Sequence, residues 1–594
     1  MILQSLIKLY DAKQERGDVP PYGWSIANVT DRLYIDRDGN VMGLISARQE
    51  VKRGKSTKSI PSKMKVPFQY KHTSGIAPNF LCASPGYILG INKEKPERAK
   101  KMFESSKELH HNVLDGCKGD MAKSILRFFD TWTTEKANAF VESNEGIFEA
   151  GNIIIDVNGK DAQEDKEIQA AWDKYYESGG ENESRGQCLV TGRICSIARL
   201  HPLIKGIRGG QASGTSIVSF NARSFESYGK AERQGLNAPV GEETAFKYGA
   251  ALNSLTADVE HKTVIGDTTV VYWAESAESG YQDMFSSMFD PGNGNMIDSE
   301  LKSAMEKIAH GNTCDLSGIS ISPDEPFYIL GLAPNASRLS IRFFWSNTFG
   351  NLSRNLIKHY ERMRIIQPYK DEPEPVPLWR LLGKMKPSKS KETVSPILAG
   401  SIMRAMLSNN KYPVSAYQNT LMRIYAEADI RKSNGQIESY KIGYERAAFI
   451  KAYLLKNGRD KWKEVIHMTI NKECKEPAYL LGRVFAVLEE IQQGSSPGIQ
   501  STIKDRYFNS ACATPSTVFP ILLKLSHAHL RKLGNEKKEY QIHLSKKVGS
   551  LLSLIQMPDE GSPFPKRLDM EEQGAFILGY YQETQDRYTK KEEK

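Results

Sequence analysis

The sequence predicts an α+β protein in which a mixed N-terminal domain, with antiparallel hairpins and inserted helices, precedes an all-α C-terminal helical bundle. Two patterns predict this fold class. Up to residue 366, short apolar runs alternate with turns rich in Gly, Asn and Asp, which is typical of strands joined in hairpins. Beyond Ser395, apolar residues recur at helical spacing in one segment after another. A chain of 594 residues is also too long for one hydrophobic core, so several domains are expected.

The N-terminal domain is predicted to span residues 1–366. It begins with an amphipathic helix, and a hairpin follows whose turn contains Asp-Gly and Gly-Asn steps. A buried strand is predicted at 87–89, and mostly charged helices at about 93–185 indicate an inserted helical subdomain. Two further hairpins are predicted, and their turns lie at Gly266-Asp267 and Pro334-Asn335.

Composition and hydropathy restrict the class of protein. The apolar fraction of 40% and the charged fraction of 25% are typical of a globular protein in water. No apolar run approaches the roughly 18–20 residues that span a bilayer, and Gln4 and Lys8 interrupt the N-terminal segment, so we expect neither a membrane span nor a signal peptide. Seven scattered cysteines favour a reducing compartment over a disulfide framework.

A lysine-rich stretch follows the first hairpin. Residues 52–65 contain six basic residues and no acid, so we expect a loop that contacts solvent or phosphate groups instead of the protein body. These basic residues are Lys52, Arg53, Lys55, Lys58, Lys63 and Lys65. The stretch also contains GKST, the end of a phosphate-binding loop, but that motif requires glycine at position 49, where this sequence has Gln. A nucleotide-hydrolysing site is therefore excluded.

Two polar turns that contain glycine are candidates for hydrogen bonds to nucleic-acid bases. The first directly follows the lysine-rich stretch and contains Lys71, Thr73, Ser74 and Asn79. The second contains Gln211, Ser213 and Asn221. A short strand at 217–220 and a helix after Pro239 are predicted to hold this second turn in place. A purely structural turn explains the second turn equally well.

No known catalytic or metal-binding motif is present. Cys188, Cys195 and His201 are close in sequence, but six residues separate the cysteines, structural zinc sites use about two to four, and no fourth ligand is adjacent. We therefore expect buried thiols on two strands, and neither a metal nor a cofactor. The sequence contains no HExxH, GxSxG, paired CxxC or nuclease-like acid cluster, which favours a binding protein over an enzyme.

The second half of the chain is predicted to begin with a linker and a basic segment. Five prolines and alternating charges mark residues 367–395 as an extended linker and the main domain boundary. Residues 396–470 are predicted to be a basic helical segment, because 16 basic and 7 acidic residues occur between 381 and 470. This excess favours a polyanionic partner, and a solvated basic face is the alternative. The candidate contact residues are Arg431, Lys432, Lys441, Arg446, Lys451, Lys456, Arg459, Lys461 and Lys463.

Residues 471–594 are predicted to form a compact helical bundle. The 18 basic and 16 acidic residues of this part nearly balance, so we expect packing to matter more than charge. Glycines inside its helices reduce helix stability by about 1 kcal/mol each relative to alanine, and we expect them to allow close helix crossings. These glycines are Gly482, Gly574 and Gly579.

Four blocks of the sequence resemble, in order and spacing, the large subunit of the type I-C CRISPR interference complex, Cascade. They are MILQSLIKLYD…PPYGWS; SGIAPNFLCASPGYILG; CLVTGRICSIARLHPLIKGIRG with the second polar turn and TTVVYWAESAE; and FYILGLAPNASRLSIRFFW. The resemblance covers most of the chain and is weakest in the lysine-rich segments between the blocks. It implies a cytoplasmic protein of a prokaryote.

In that family the large subunit is understood to read the protospacer-adjacent motif (PAM) in duplex DNA, to open the strands and to help hold the displaced strand. The resemblance therefore assigns the 52–65 stretch and the Lys71–Asn79 turn to the PAM duplex, with the Gln211–Asn221 edge beside them. The basic helices at 431–463 would contact the displaced strand or neighbouring subunits. A CRISPR RNA-processing or nucleolytic enzyme and a plain RNA-binding scaffold are the alternatives.

The resemblance also implies partners. They are a crRNA-bearing backbone, the subunits at the crRNA ends, and a separate helicase-nuclease that is recruited after strand opening. In this family the same gene is understood to yield the small subunit from an internal start. A start at Met468 would give 127 residues, enough for four or five helices, and a non-methionine start at Val465 is equally possible.

Overall fold

The computed structural model describes most of the chain as two compact units. The described residues are 1–53, 56–70, 75–178, 184–220, 222–230, 234–289, 299–316, 318–368, 374–388, 390, 394–431, 437–556 and 561–589. The first unit comprises Met1–Leu203 with Val218–Ser254, and the second comprises Ile204–Ile217 with Leu255–Lys594. Small sheets with helices, followed by a helical C-terminal region, confirm the predicted α+β class. The predicted division at 366, 395 and 470 stays a prediction.

The helices and strands alternate in the first part of the chain and are mostly helices in the last. Up to residue 257 they are α1 (Ile2–Glu15), β1 (Trp24–Ile35), β2 (Val41–Ser46), β3 (Gln49–Arg53), β4 (Ser56–Ile60), β5 (Ser62–Pro67), β6 (Cys82–Ala83), α2 (Pro85–Ile88), α3 (Pro96–Leu114), α4 (Asp120–Thr131), α5 (Thr134–Ser143), β7 (Asn152–Val157), β8 (Lys160–Asp161), α6 (Lys166–Ser178), β9 (Arg185–Gln187), β10 (Ile194–Ser196), β11 (Leu203–Ile204), β12 (Thr215–Ser216) and α7 (Glu242–Ala257). Beyond it they are β13 (Lys262–Ile265), β14 (Thr268–Ala274), α8 (Ser279–Phe289), α9 (Ser299–Ala309), β15 (Cys314–Leu316), β16 (Ile319–Ile321), β17 (Pro326–Asn335), β18 (Arg338–Thr348), α10 (Phe349–Met363), α11 (Leu378–Met385), α12 (Pro396–Leu407), α13 (Val414–Ala426), β19 (Ile430–Arg431), β20 (Ile437–Ser439), α14 (Tyr444–Asn457), α15 (Trp462–Val465), α16 (Pro477–Ser495), α17 (Ile503–Ala513), α18 (Pro515–Glu536), α19 (Lys538–Ser553) and α20 (Met570–Thr589).

In the first unit, β1 is at the centre of a six-stranded sheet of order β2-β1-β7-β6, in which β5 also pairs with β1 and β8 with β7. β1 runs antiparallel to β2 and β5 and parallel to β7. Helix α4 covers one face of the sheet, because its Phe128 packs in the same core as Ile153 and Ile155 of β7. The strand β7, which lies inside the predicted helical subdomain, is therefore part of the central sheet.

The second unit has its own six-stranded sheet of order β11-β12-β18-β17-β14-β13. Hairpins β13–β14 and β17–β18 confirm the two turns predicted there, although the second turn lies at 336–337, just after the predicted Pro334-Asn335. α7 begins at Glu242 and confirms the helix predicted after Pro239.

Two predicted strands are wrong. The helix α2 replaces the strand predicted at 87–89, because Pro85 at the first helical position has the backbone angle that a helical turn needs. The strand predicted at 217–220 is absent from this described stretch, since the ladder between β12 and β18 ends at Ser216. Residues 217–220 therefore lack the backbone partners that a strand requires.

The lysine-rich stretch is also not the predicted loop. β3 and β4 pair over five residues, and β5 pairs with β1 over six. The alternation of side chains along β5 explains the difference, because Lys63 and Lys65 are exposed whereas Ser62 and Val66 are buried. A run of lysines can therefore belong to a sheet when the residues between them face the core.

The crossing of α16 and α20 confirms the role predicted for the helix glycines. A Cβ at Gly482 would lie 1.9 Å from Phe576 O, and one at Gly579 would lie 2.1 Å from Tyr479 O. Gly574 allows an equally close approach to α13, at 2.0 Å from a tyrosine hydroxyl. Only glycine fits at Gly482 and Gly579, because a Cβ there would meet backbone and push the helices apart. At Gly574 a Cβ would displace the Tyr417 hydroxyl.

The structure differs from the prediction inside the proline-rich segment and after it. α11 lies in the middle of residues 367–395 and buries Leu378, Leu381, Leu382 and Met385, which share one face of the helix. The short hairpin β19–β20 occurs where only helices were expected. α17 joins the predicted bundle helices as an additional helix.

Candidate nucleic-acid interface

A basic strip, defined by Lys58, Lys63 and Lys65, lies on β4 and β5 of the first unit. All three side chains are exposed. Lys65 Nζ is 4.7 Å from the centroid of the Trp24 ring, so a cation–π contact supports this ammonium group on the sheet. The remaining predicted residues of the stretch are Lys52 and Arg53, on β3, and Lys55, outside the described residues.

Asn79 closes the loop that follows the basic strip. Its Oδ1 accepts a hydrogen bond from Tyr70 N at 2.9 Å, and its Nδ2 donates to Tyr70 O at 3.4 Å. Arg98 Nη2 donates to Gly75 O at 2.8 Å and holds a second point of the loop. The Asn79 amide thus supports the loop from its base. Its predicted neighbours outside the described residues are Lys71, Thr73 and Ser74.

Tyr70, which the sequence analysis missed, is an exposed aromatic residue three positions after β5. It is 47% exposed, and its ring meets the ring of Phe68 edge-on with centroids 5.1 Å apart. The centroid of the Tyr176 ring lies 6.3 Å from that of Tyr70. A half-exposed ring held by neighbouring rings offers a face on which a base can stack. The signal in the sequence was an aromatic residue immediately before the first polar turn, in FQYKHTSG.

A buried histidine fixes the end of this loop. His110 Nδ1 lies 2.7 Å from Ser106 O, and Nε2 lies 3.1 Å from Leu81 N. Burial lowers the pKa of His110 to about 4, so the ring is neutral, Nδ1 donates and Nε2 accepts. Leu81 has a φ of 55°, a left-handed conformation that is rare for leucine. The hydrogen bond to His110 stabilises this conformation where the chain enters β6.

The second polar turn lies in the second unit. Gly214 N donates to Gln211 O at 2.9 Å, and this bond closes a tight turn at which Gln211 and Ser213 are exposed. Thr215, behind the turn, is buried, and its Oγ1 donates to a carbonyl of β11 at 3.3 Å. The turn therefore presents one amide and one hydroxyl from a fixed backbone. Asn221, the third predicted residue, lies outside the described residues.

Three of the predicted displaced-strand contacts are buried. Lys441 Nζ lies 4.8 Å from the centroid of the Phe508 ring, Arg446 pairs with Glu427 at 2.6 Å, and Lys451 donates to a carbonyl of α10 at 3.0 Å. Burial and, to a smaller extent, the positive charges of nearby arginines lower the pKa of Lys451 to about 8. Helix α14 is buried along most of its length, so its cations find partners inside the protein. These three side chains therefore do not contribute to a basic surface.

The other predicted contacts of that segment lie nearer the surface, and four of them have polar or acidic partners. These partners are Asn409 for Lys456, Asp569 and Glu571 for Arg459, Glu476 for Lys461, and Asp460 for Lys463. Arg431 is exposed on β19, and Lys432 lies outside the described residues. Because carboxylates neutralise much of the charge locally, the segment attracts a polyanion less than its composition suggests.

A basic surface that the sequence analysis missed lies on the hairpin of α18 and α19. Residues 515–556 hold seven basic and two acidic residues, whereas the rest of 471–594 holds 11 and 14. The bundle is therefore nearly neutral in sum but segregated in charge. The exposed side chains of this basic hairpin are Lys524, His527, Arg531, Lys532, Lys537, Lys538, His543 and Lys546. Charge counted helix by helix, instead of over the whole bundle, would have predicted it.

The buried ionisable groups of the bundle form structural pairs. Glu583 is fully buried and pairs with Arg483 at 2.8 Å and with Lys547.

His201 of the first unit, which was considered above with the two cysteines as a zinc ligand, contacts a tyrosine. Its Nδ1 lies 2.6 Å from Tyr248 Oη. Within the described ranges, no group of three or more His, Cys, Asp and Glu residues could hold a metal ion.

The sequence matches the model of a protein family over nearly its whole length. That family is described as CRISPR-associated protein (Cas_Csd1), and the match covers residues 6–588. No curated protein matches the chain. In the part of the chain that the structure describes, no helix is both long and apolar enough to cross a bilayer.

Proposed function

This chain belongs to the Cas_Csd1 family of CRISPR-associated proteins and is a Cascade-type subunit, and from this premise we propose that it is the large subunit of a type I-C surveillance complex. It acts as a binding protein and not as an enzyme. It recognises the PAM in target duplex DNA, promotes strand opening and R-loop formation, and helps to hold the displaced strand. Guide pairing reads the rest of the target, so a few base contacts suffice.

The observation that carries this proposal is the basic strip with Tyr70 beside it in sequence. Lys63 and Lys65 are two residues apart on β5, so their side chains leave the same face of the sheet about 6.6 Å apart. Both can contact phosphates of one DNA backbone, and a paired strand holds them in place. The exposed ring of Tyr70 adds a surface for a base that has left its partner.

The hydrogen bonds to base edges of the PAM are assigned to the two polar turns. Asn79 bonds to the backbone of Tyr70, so it positions the loop and leaves base contacts to residues within the loop. Gln211 and Ser213 are exposed on a closed turn, and amide and hydroxyl groups suit base edges in a groove. Few groups are needed, because the PAM is short.

The displaced strand is assigned to the basic hairpin of α18 and α19. Exposed cations on two neighbouring helices can follow a single-stranded backbone, whereas the cations at 431–463 are largely buried or paired. The crRNA-bearing backbone, the subunits at the crRNA ends and a separate helicase-nuclease are the proposed partners. The bundle itself is proposed to occur also as the small subunit, from an internal start near Met468.

The test is DNA binding by the assembled complex after Lys58→Ala with Lys63→Ala. The salt dependence of PAM-duplex binding should flatten by roughly 0.9 per lost phosphate contact, about two units of slope in total. Lys136→Ala with Lys160→Ala is the matched control, because both lysines are exposed elsewhere in the first unit.

Three outcomes would contradict the proposal. An unchanged slope in the first double variant means that the basic strip is only solvated. Binding of guide RNA without any PAM preference on DNA supports the plain scaffold. Metal-dependent cleavage of RNA or DNA by the purified chain supports the enzyme.

A further inference from the structure

Arg208 lies on a turn of the second unit that leads directly into the second polar turn. Gly210 N donates to Ile207 O at 3.1 Å, and this hydrogen bond closes a β-turn with Arg208 and Gly209 at its two central positions. Gly209 has a φ of 73°, as the second central residue of a type II turn requires. Arg208 is therefore at the corner of the turn, and its side chain is exposed.

Buried contacts hold the backbone of Arg208 in place. Its N–H donates at 3.1 Å to Oγ1 of Thr269, a buried residue of β14. The preceding side chain, Ile207, is also buried, so the chain is fixed from below while the guanidinium group lies at the surface. A polar group on a backbone that is fixed in this way is preorganised for recognition.

The charge of Arg208 is not neutralised locally. Residues 203–221 contain two basic residues and no acid. Within the described part of the chain, no carboxylate forms an ion pair with Arg208, whereas Arg342 on β18 pairs with Asp267 at 2.8 Å. The guanidinium group of Arg208 is therefore available to a ligand that presents acceptor atoms.

The surface between Arg208 and Gln211 is open. Two glycines separate these residues, so an edge of a base can approach the backbone between the guanidinium group and the amide. Both side chains are exposed. Three residues of chain reach at most about 10 Å, and less in a turn, which corresponds to no more than about three base-pair steps of roughly 3.4 Å. Arg208 and Gln211 can therefore contact neighbouring base pairs.

We propose that Arg208 recognises a guanine of the PAM by donating two parallel hydrogen bonds to its O6 and N7 atoms. Guanine presents these two acceptors side by side in the major groove, and a guanidinium group presents two parallel donors that match them. Gln211 then contacts a neighbouring base pair, where its amide suits adenine. This inference rests on the proposed function and adds the kind of base that the second polar turn selects.

A library of duplexes with randomised base pairs on both sides of one target sequence tests the proposal. The assembled complex binds the library, and sequencing of the bound DNA gives the preference at each position. The wild type should select a G·C pair within the PAM, and Arg208→Ala should reduce that preference roughly 5- to 150-fold without changing the other selected positions. Arg404→Ala is the matched control, because it removes an exposed arginine of α12 and should change no position.

Two further variants separate base recognition from contact with phosphate. Arg208→Gln should shift the preference at that position from guanine toward adenine, because an amide pairs with the N6 and N7 atoms of adenine. Arg208→Lys keeps the charge but loses the planar pair of donors, so it should keep a weaker preference for guanine. If Arg208→Ala and Arg208→Gln both weaken binding of every duplex by the same factor, Arg208 contacts phosphate and the proposal is wrong.

The remaining outcomes distinguish this inference from the proposed function. If the wild type selects base pairs beside the target and Arg208→Ala selects the same ones equally strongly, PAM recognition stands and the role of Arg208 is refuted. A selected motif without guanine on either strand refutes that role as well. A wild type that selects no base pair beside the target refutes PAM recognition itself, together with this inference.

Discussion

Asn79 and Gln211 carry the same amide group but lie in different surroundings, so we expect different roles for them. Asn79 bonds twice to the backbone of Tyr70, whereas Gln211 is exposed on a closed turn. We expect Gln211→Ala to lose about 1–3 kcal/mol of binding on PAM DNA and much less on PAM-free DNA. Asn79→Ala should weaken binding to both DNAs alike, because the loop loses its closure. Equilibrium binding of the assembled complex to the two duplexes measures the difference.

Asn79→Asp is the matched control for the loop. It keeps the acceptor for Tyr70 N, loses the donor to Tyr70 O and adds a negative charge. At high salt, where the added charge is screened, it should retain more affinity than Asn79→Ala. If Asn79→Ala loses affinity for PAM DNA only, the side chain reads a base, and closing the loop is not its main task.

His359 makes the stability of the second unit depend on pH. Its Nδ1 lies 2.6 Å from Tyr412 Oη, and burial, with Arg362 nearby, lowers its pKa from 6.5 to about 3. Below pH 6.5 the unfolded chain therefore binds a proton that the folded chain does not. This stabilisation is complete above pH 6.5 and is lost as the pH falls toward 3, by up to about 1.4 kcal/mol per pH unit.

Thermal unfolding between pH 7 and pH 4 measures this dependence. His359→Gln should flatten it, whereas His310→Gln, at an exposed position, should leave it unchanged. Parallel profiles for the wild type and His359→Gln would mean that other groups carry the acid sensitivity.

Among the elements, the basic hairpin of α18 and α19 is expected to hold single-stranded DNA. Lys524→Ala with Arg531→Ala removes two exposed cations that lie two turns apart on α18. The salt dependence of R-loop binding should flatten by about 0.7 per lost contact, roughly 1.4 in total. Lys461→Ala with Lys463→Ala is the matched control, because both lysines have carboxylate partners. If both double variants flatten the salt dependence equally, residues 431–463 contact the displaced strand as first predicted.

The crossing of α16 and α20 tolerates no side chain at Gly482. A Cβ there would lie 1.9 Å from Phe576 O, so Gly482→Ala has to separate two helices and should cost about 3 kcal/mol of unfolding free energy. A Cβ at Gly549 on α19 meets nothing within 4 Å, so Gly549→Ala should add about 0.5–1 kcal/mol. Thermal unfolding should therefore shift in opposite directions for the two variants. A neutral Gly482→Ala would show that the helices separate easily.

Local signals predicted the hairpin turns and most helices, although the strand predicted at 87–89 is a helix that begins at Pro85. The wrong predictions at charged residues concern contacts between residues distant in sequence. Turn residues such as Gly266 act through the backbone, which a short stretch of sequence determines. The close crossing at Gly482 could be predicted from the glycine, but its partner α20 could not. The pairing of β5 with β1 and the enclosure of α14 depend on remote segments. Counting charges was therefore misleading at Lys63, a strand residue, and at Lys451, a buried cation. Asn79 lies outside the helices and strands, and its partner Tyr70 could not be predicted from composition.

On the scale of the whole molecule, the bundle is expected to exist also as a separate polypeptide. Met468 is 42% exposed and lies between α15 and α16, so a start there truncates no helix of the bundle. Mass spectrometry of the complex expressed from the native gene should show a fragment of roughly 14–15 kDa that begins at Met468 or Val465. Blocking the start codon should remove the fragment and leave the full-length chain.

In the full-length chain, α20 also packs against α13, where Tyr417 Oη donates to Met570 O at 2.9 Å. A free fragment lacks α13, so the surface of α20 that α13 covers is exposed. We therefore expect the fragment to associate with itself or with another subunit in size-exclusion chromatography. A missing fragment, or one whose N-terminus lies inside a helix at a protease site, would refute a separate subunit.

The contact between Gly482 and the backbone of α20 joins the first helix of the bundle to the last one described. During synthesis, α16 leaves the ribosome well before its partner exists, and α17, α18 and α19 follow while that side of α16 is still bare. Closure of the bundle therefore has to wait for α20, since this close contact joins the first helix of the bundle to the last one described. A nascent chain that stalls before α20 lacks a closed core and exposes apolar surface to quality control. The same holds for a chain begun at Met468, so in both products the core of the bundle closes only after α20 has been synthesised.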